Sequence, residues 1–243
     1  MCTVTFIPAG EKIFLVSNRD EKHWRSPAVS PQPYDFPSGK IYFPKDADAG
    51  GTWFAVHENG NAIVLLNGGF KAHVPQPPYR MSRGLVTVEL IQVNHPFDRF
   101  RSINLENIEP FTLVLWENEE LFECRWDGER KHSKQLDKTA PQIWSSVTLY
   151  SEEVIMKRQT WFEDWLKSRS VISLDDVLNF HRFTGDGDDH NDLLINRNGK
   201  VFTVSITGVG LSATAAHIKY LDLLTNQLFL QDIALLKEPA THL

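Results

Sequence analysis

Short runs of β-branched and aromatic residues, several alternating with polar ones, dominate this chain, and helical spacing is confined to a few segments. Residues 3–7 and 13–17 are two such runs, separated by Pro8-Ala9-Gly10-Glu11, which has turn chemistry. They predict a hairpin. Pairing Ile7 with Lys12, or Pro8 with Glu11, puts Cys2 opposite Ser17, and Asn18, Arg19 and Asp20 then emerge beside the amino terminus. A three-residue loop shifts that register by one and turns the side chains to the other face. A second hairpin is predicted over residues 52–56 and 62–66 around Glu58-Asn59-Gly60-Asn61, since Asn-Gly is the strongest short hairpin signal. Its register places Thr52 opposite Asn67, so that Gly50-Gly51 and Gly68-Gly69 meet at one end of the ladder, as close backbone approach or as two loops. Further hairpins are predicted over residues 111–126 around Asn118-Glu119, over 193–207 around Asn198-Gly199, and near the end around Thr225-Asn226-Gln227.

Three segments read as helices. Ser151 precedes Glu152 and Glu153, an N-cap followed by first-turn acids, and Val154, Ile155, Trp161, Phe162, Trp165 and Leu166 recur at helical spacing. That aromatic face reads as packing against a sheet rather than as a cofactor box. Ser173 caps a second helix to about Arg182, and Ser82 a third through Val93. Hairpins interrupted by a few amphipathic helices predict an α+β fold. The continuous apolar run over 62–66 predicts a strand buried on both faces, hence two stacked antiparallel sheets between helical layers.

Composition narrows the classes. The 243 residues are 42% hydrophobic and 23% charged, with no linker, charge block or repeat at which to divide them, so one domain over 1–243 is expected. A net charge of -6 with scattered basic residues leaves no electrostatic footprint for nucleic acid. Two cysteines and an amino terminus without a secretory pattern point to a reducing cytoplasm. No apolar stretch is long enough to span a bilayer. Oligomeric state leaves no mark in the sequence.

Cys2 directly follows Met1. With Met1 removed it carries a free α-amine and a thiol, a nucleophile beside its own base; by itself it also fits a small buried residue at the start of a strand. Arg19 beside it favours a thiolate and Asp20 holds an α-amine, or the two form an exposed ion pair at a strand end. Asn67 offers an amide for an oxyanion, or is a turn residue before Gly68-Gly69. The polar run from Gly185 to Asp192 lacks EF-hand spacing, and His181 and His190 lack zinc-ligand partners, so no metal is predicted. Gly-x-Ser-x-Gly, Rossmann and Walker A motifs are absent.

Met1-Cys2-Thr3 together with Ser17-Asn18-Arg19-Asp20-Glu21 resembles the NRDE family, also called the transport and Golgi organization protein 2 family. The likeness continues through Gly50-Gly51-Thr52-Trp53, residues 62–67, Ser82-Arg83-Gly84, Thr148-Leu149-Tyr150-Ser151 and Asp222-Leu223-Leu224-Thr225. That family looks like the cysteine N-terminal nucleophile (Ntn) hydrolases, so the resemblance implies a four-layer αββα sandwich. It implies Cys2 as nucleophile and base, Arg19 and Asp20 as its positioning groups and Asn67 in the oxyanion hole. Asn18, Thr52, Trp53 and Gly68, in or beside the same motifs, are expected on the substrate side. The acylases of that class separate their arginine and aspartate, whereas Arg19 and Asp20 are adjacent and should point to opposite faces. Three readings follow: an amidohydrolase cleaving a linear amide or acyl compound through acyl-Cys2, without cofactor; a non-catalytic haem or acyl-lipid binding and trafficking protein using the same cleft; and an interaction module. The first requires Met1 to be removed. Both of the first two take a small molecule as partner.

Overall fold

The structure, a computed structural model, describes residues 3–236; Cys2 lies outside them. The first half of the chain forms β1 (Thr3–Ala9), β2 (Lys12–Lys22), β3 (Val29–Phe36), β4 (Gly39–Lys45), β5 (Phe54–His57), β6 (Ala62–Asn67), α1 (Arg83–Ile91), α2 (Pro96–Ser102) and β7 (Phe111–Glu117). The second half forms β8 (Glu120–Trp126), β9 (Lys131–Leu136), β10 (Gln142–Ser145), α3 (Glu152–Lys167), α4 (Leu174–Phe183), β11 (Asn196–Arg197), β12 (Val201–Leu211), β13 (Ala215–Asp222) and β14 (Gln227–Ala234).

Two antiparallel sheets result. One runs β10-β1-β2-β12-β13-β14, with β11 paired to β12; the other runs β3-β4-β5-β6-β7-β8-β9. Their facing sides share one core, in which Val4, Phe6, Leu15, Val209 and Ile218 of the first sheet join Ala55, Ile63, Leu65 and Leu113 of the second. Val86, Leu90 and Phe100 bring α1 and α2 onto the far side of the second sheet. Phe162, Leu174, Val177 and Phe180 of α3 and α4 cover Ile7, Phe14, Val16 and Ile206 on the far side of the first. The order is helices, sheet, sheet, helices, the αββα sandwich expected from the sequence.

Each expected cap is in place. Ser82, Ser151 and Ser173 accept the backbone N–H of Leu85, Val154 and Asp176, and Asp176 returns a bond to complete a capping box. The expected end of α1 at Val93 is two residues too long, because the chain leaves the helix after Ile91.

Two registers differ from expectation. In the first hairpin Thr3 lies opposite Asn18 and Val4 opposite Ser17, rather than Cys2 opposite Ser17. Only Gly10 and Glu11 form the loop, with Gly10 at φ +63°, so the turn closes one residue later than assumed. The slip is by two, and every side chain keeps its face. In the second hairpin Phe54 pairs with Val64 and Val56 with Ala62, so Thr52 does not oppose Asn67. A three-residue loop ending at Gly60, φ +96°, slides the ladder by one. The glycine pairs pack closely against other partners instead. A Cβ on Gly51 would sit on the Gly84 backbone, and one on Gly69 would lie 2.9 Å from the Trp126 carbonyl oxygen.

Candidate active site

A cleft of ≈ 590 Å³ opens where the end of β2, the loop before β5, the end of β6 and the start of α1 converge. Arg19, Thr52, Trp53 and Asn67 line it, together with Trp24, Arg25, Asp46, Leu65, Tyr79, Arg83 and Glu109. Four of the residues singled out by sequence therefore share one cavity, although they come from three separate segments.

Arg19 is 4% exposed. Its Nη2 donates to Asp46 Oδ2 at 2.8 Å, Glu21 lies at 3.5 Å, and the guanidinium stacks 4.3 Å from the Trp53 ring centroid. Arg25 donates to the same Asp46 oxygen and pairs with Asp48 at 3.3 Å. Burial pushes the Asp46 carboxyl up, but the Ala49 N–H and the two guanidiniums outweigh it and hold the group below the usual carboxylate range. Asp46 thus stays ionised and clamps Arg19 against Trp53. Deeper along the wall, Arg83 pairs with Glu109 at 3.1 Å, and burial draws its pKa below the ordinary arginine value.

Asn67 ends β6, and its backbone carbonyl accepts the Ser146 hydroxyl at 3.0 Å. Its carboxamide makes no hydrogen bond among the described residues and faces the cavity as an available donor. Thr52 is differently engaged: its hydroxyl lies 2.7 Å from the Pro44 carbonyl and 2.9 Å from that of Phe54, so it is held by the backbone of the wall it lines.

Strand alternation separates Arg19 from its neighbours. Asp20 points away from the cleft and accepts the hydroxyl of Tyr150, just before α3, at 2.7 Å and that of Thr203 on β12 at 2.6 Å. A bulge at Val204 lets both arms of β12 stay paired across this point, with Thr203 opposite Asp20 and Ser205 opposite Arg19. Asn18 lies on the same side as Asp20 and is fully buried, donating to the carbonyls of His181 and Leu193 and accepting from the His181 ring at 2.6 Å. It bridges β2 to α4 and is not among the residues lining the cleft. Gly68 is likewise not among the lining residues, and its N–H donates to the Pro110 carbonyl at 3.0 Å.

Sequence reasoning missed Asp46, Arg25, Arg83 and Glu109. The run Asp46-Ala47-Asp48-Ala49-Gly50-Gly51 is the one signal for the first, since a short-side-chain acidic turn before paired glycines suits a carboxylate capped by backbone N–H groups. Of the proline-rich segment 71–80, Tyr79 reaches the wall. The acidic run from Gly185 to Asp192 does not. Its carboxylates cap their own turns, Asp192 accepting from Asp186 and Gly187 and Asp188 from His190 and Asn191. Among the described residues no cluster of three or more His, Cys, Asp or Glu side chains could hold a metal ion, and no helix is long and apolar enough to cross a membrane.

A sequence family described as Transport and Golgi organisation 2 matches residues 1–191. No curated protein sequence matches. Among solved structures, the Caenorhabditis elegans ortholog of N-acylethanolamine-hydrolyzing acid amidase is similar with a TM-score of 0.56 at 11% identity, over 85% of this chain and 92% of that one. Two variants of conjugated bile acid hydrolase from Clostridium perfringens reach TM-scores of 0.51 and 0.52 at 9% identity, over 99% of this chain and 100% of theirs. These neighbours share the Ntn-hydrolase fold with the chain.

Proposed function

The chain belongs to the Transport and Golgi organisation 2 family, and from that premise we propose that it is an amidohydrolase in which Cys2 attacks the carbonyl of a small linear amide or related acyl compound. The observation that carries the proposal is the convergence in one cleft of a clamped Arg19, next along β2 from the Asn18 that pairs with Thr3, and an unengaged Asn67 carboxamide. The fold likeness to an amidase and a bile acid hydrolase supports the reaction class, and the cleft volume suits a small molecule.

In this reading the α-amine of Cys2 takes the thiol proton, and sulfur adds to the carbonyl carbon. The oxyanion that develops is met by the Asn67 carboxamide. Collapse expels the amine, which leaves with the proton held by the α-ammonium, and water then attacks the thioester under the same base and frees the acid. Arg19 favours the thiolate. The carrier alternative, with haem or an acyl lipid as ligand, needs a largely apolar cavity, whereas this wall is rich in charged groups.

Intact-mass measurement of active protein should find Met1 gone and an activity-based acyl electrophile attached to Cys2. Cys2→Ala should lose both labelling and hydrolysis while melting normally. Asn67→Ala should lower kcat by roughly 10²–10³ with a smaller effect on KM. Full activity in protein that retains Met1 would falsify the proposal, because an acylated amine is no base.

A further inference from the structure

A sheet edge exposes unpaired backbone N–H and C=O groups, and chains that stay apart blunt theirs. Three of the four edges in this molecule are blunted: β3 carries Pro31 and Pro33, β9 bears Lys131 and Lys134, and β10 is four residues long. The fourth is not. β14 runs eight residues, Gln-Leu-Phe-Leu-Gln-Asp-Ile-Ala, without proline, lysine or glycine. Phe229 and Ile233 face the core between the sheets. The alternate residues share a face with Leu221 of β13, which packs toward α3 and α4, but the helices leave them uncovered, so Leu228 is 55% and Leu230 65% exposed. Beside them, Arg182 of α4 donates to the Asn226 side-chain oxygen at 3.4 Å and meets no carboxylate within ion-pair distance among the described residues. The Asp232 side chain, although paired with His217, is 84% exposed.

We propose that β14 is a dimer edge, on which two copies of the chain pair their β14 strands antiparallel about a two-fold axis at Phe229 and join their first sheets into one. Paired residues must face the same side of the joined sheet, which leaves few registers. Centring on Leu230 sets Leu228 against Asp232, and centring on Leu228 sets Leu230 against Asn226. Centring on Phe229 sets each Leu228 against Leu230 of the partner subunit, so that four leucines cover one another across the axis. The same register lays Asp232 opposite Asn226 of the partner subunit, and so beside the arginine that lacks a carboxylate, twice in each dimer. The edge is thus complementary to itself in charge as well as in apolar pattern, which selects a second copy over an unrelated strand. No residue of β14 lines the cleft, so each copy keeps its own.

The test is sedimentation velocity of the full chain over a concentration series, with far-ultraviolet circular dichroism checking that each variant folds. The parent should reach a dimer. Leu230→Lys sets a charge against Leu228 in two places and should weaken that dimer about a hundredfold. Arg182→Glu brings like charges together and should weaken it about tenfold, and Arg182→Glu combined with Asp232→Arg should restore it. Disulfide capture reads the register: chains carrying Leu228→Cys and chains carrying Leu230→Cys should cross-link to one another when mixed, beyond the level of the parent, and neither should cross-link to itself. A chain that stays monomeric at its highest soluble concentration, a dimer that Leu230→Lys leaves unchanged, or self-linkage of either cysteine variant overturns the inference. If Leu230→Lys does not fold, the Arg182→Glu pair of variants decides in its place, and a dimer that Arg182→Glu leaves unmoved is the overturning result.

Discussion

Fully buried and bonded on both ring nitrogens, His181 binds the amino-terminal hairpin to α4: Nδ1 meets Asn18 Oδ1 at 2.6 Å and Nε2 meets Thr5 Oγ1 at 2.8 Å. Asn18 Oδ1 can only accept, so Nδ1 carries the proton and Nε2 accepts from Thr5. Burial, and then the charge of Arg158, depress its pKa to about 3 from 6.5. Above pH 6.5 the ring is neutral folded or unfolded and imposes no penalty. As pH falls below 6.5 the unfolded chain takes up a proton that the folded one refuses, so stability declines until pH approaches 3. Chemical denaturation at several pH values should show a loss of about 2 kcal/mol by pH 5 from this group. That window lies above the one in which Asp46 titrates, since a carboxyl with a depressed pKa loses its contribution only as pH falls through and below the ordinary carboxylate value. A denaturation midpoint that does not move between pH 7 and pH 5 would contradict this account of His181. Cys124, by contrast, is inert by construction: burial, with Glu117 and Glu123 adding, pushes its thiol up to about 12.

At the level of elements, turns decide where the wall of the cleft falls. Gly68 holds φ +86°, and a Cβ there would lie 2.6 Å from Val147 Cγ2 and 2.7 Å from Thr148 Cγ2. Gly68→Ala combines strained backbone with a clash, and should cost about 2 kcal/mol or more in denaturant titration. It should also disturb Asn67 next to it. Unchanged stability would mean that segment 147–148 yields freely. The sequence made most interior strands and three serine caps legible because hydrophobic period and cap chemistry are local. It failed at the interior β4, at the short α2, and at β3, β9 and β10, which are three of the four sheet edges. An edge strand buries little, so β3 carries Pro31 and Pro33 and β9 reads Lys-His-Ser-Lys-Gln-Leu. At the site, Arg19, Trp53 and Asn67 were found through motifs, and the sides of Arg19 and Asp20 through alternation. As site residues, Arg25 with Asp46, and Arg83 with Glu109, were invisible because each pair meets only across a separation of 21 or more residues along the chain.

For the whole molecule, the core residues of both sheets and of α1 and α2 form one continuous cluster. We therefore expect one domain and one cooperative transition. Tryptophan emission, reporting on Trp53, Trp116 and Trp126 around the second sheet, should coincide with far-ultraviolet circular dichroism through a urea titration. Two separated transitions would mean that the sheets unfold independently. The pairing of β2 with β12 has a consequence for synthesis. Lys22 meets Val201 and Ile13 meets Leu211, so the strand that carries Arg19 and Asp20 waits for its neighbour until nearly all of the chain has been made. At ribosomal rates of roughly 5–20 residues per second that delay is about ten seconds or more. During it the start of the chain is open to processing enzymes, before the same pairing closes the wall behind it.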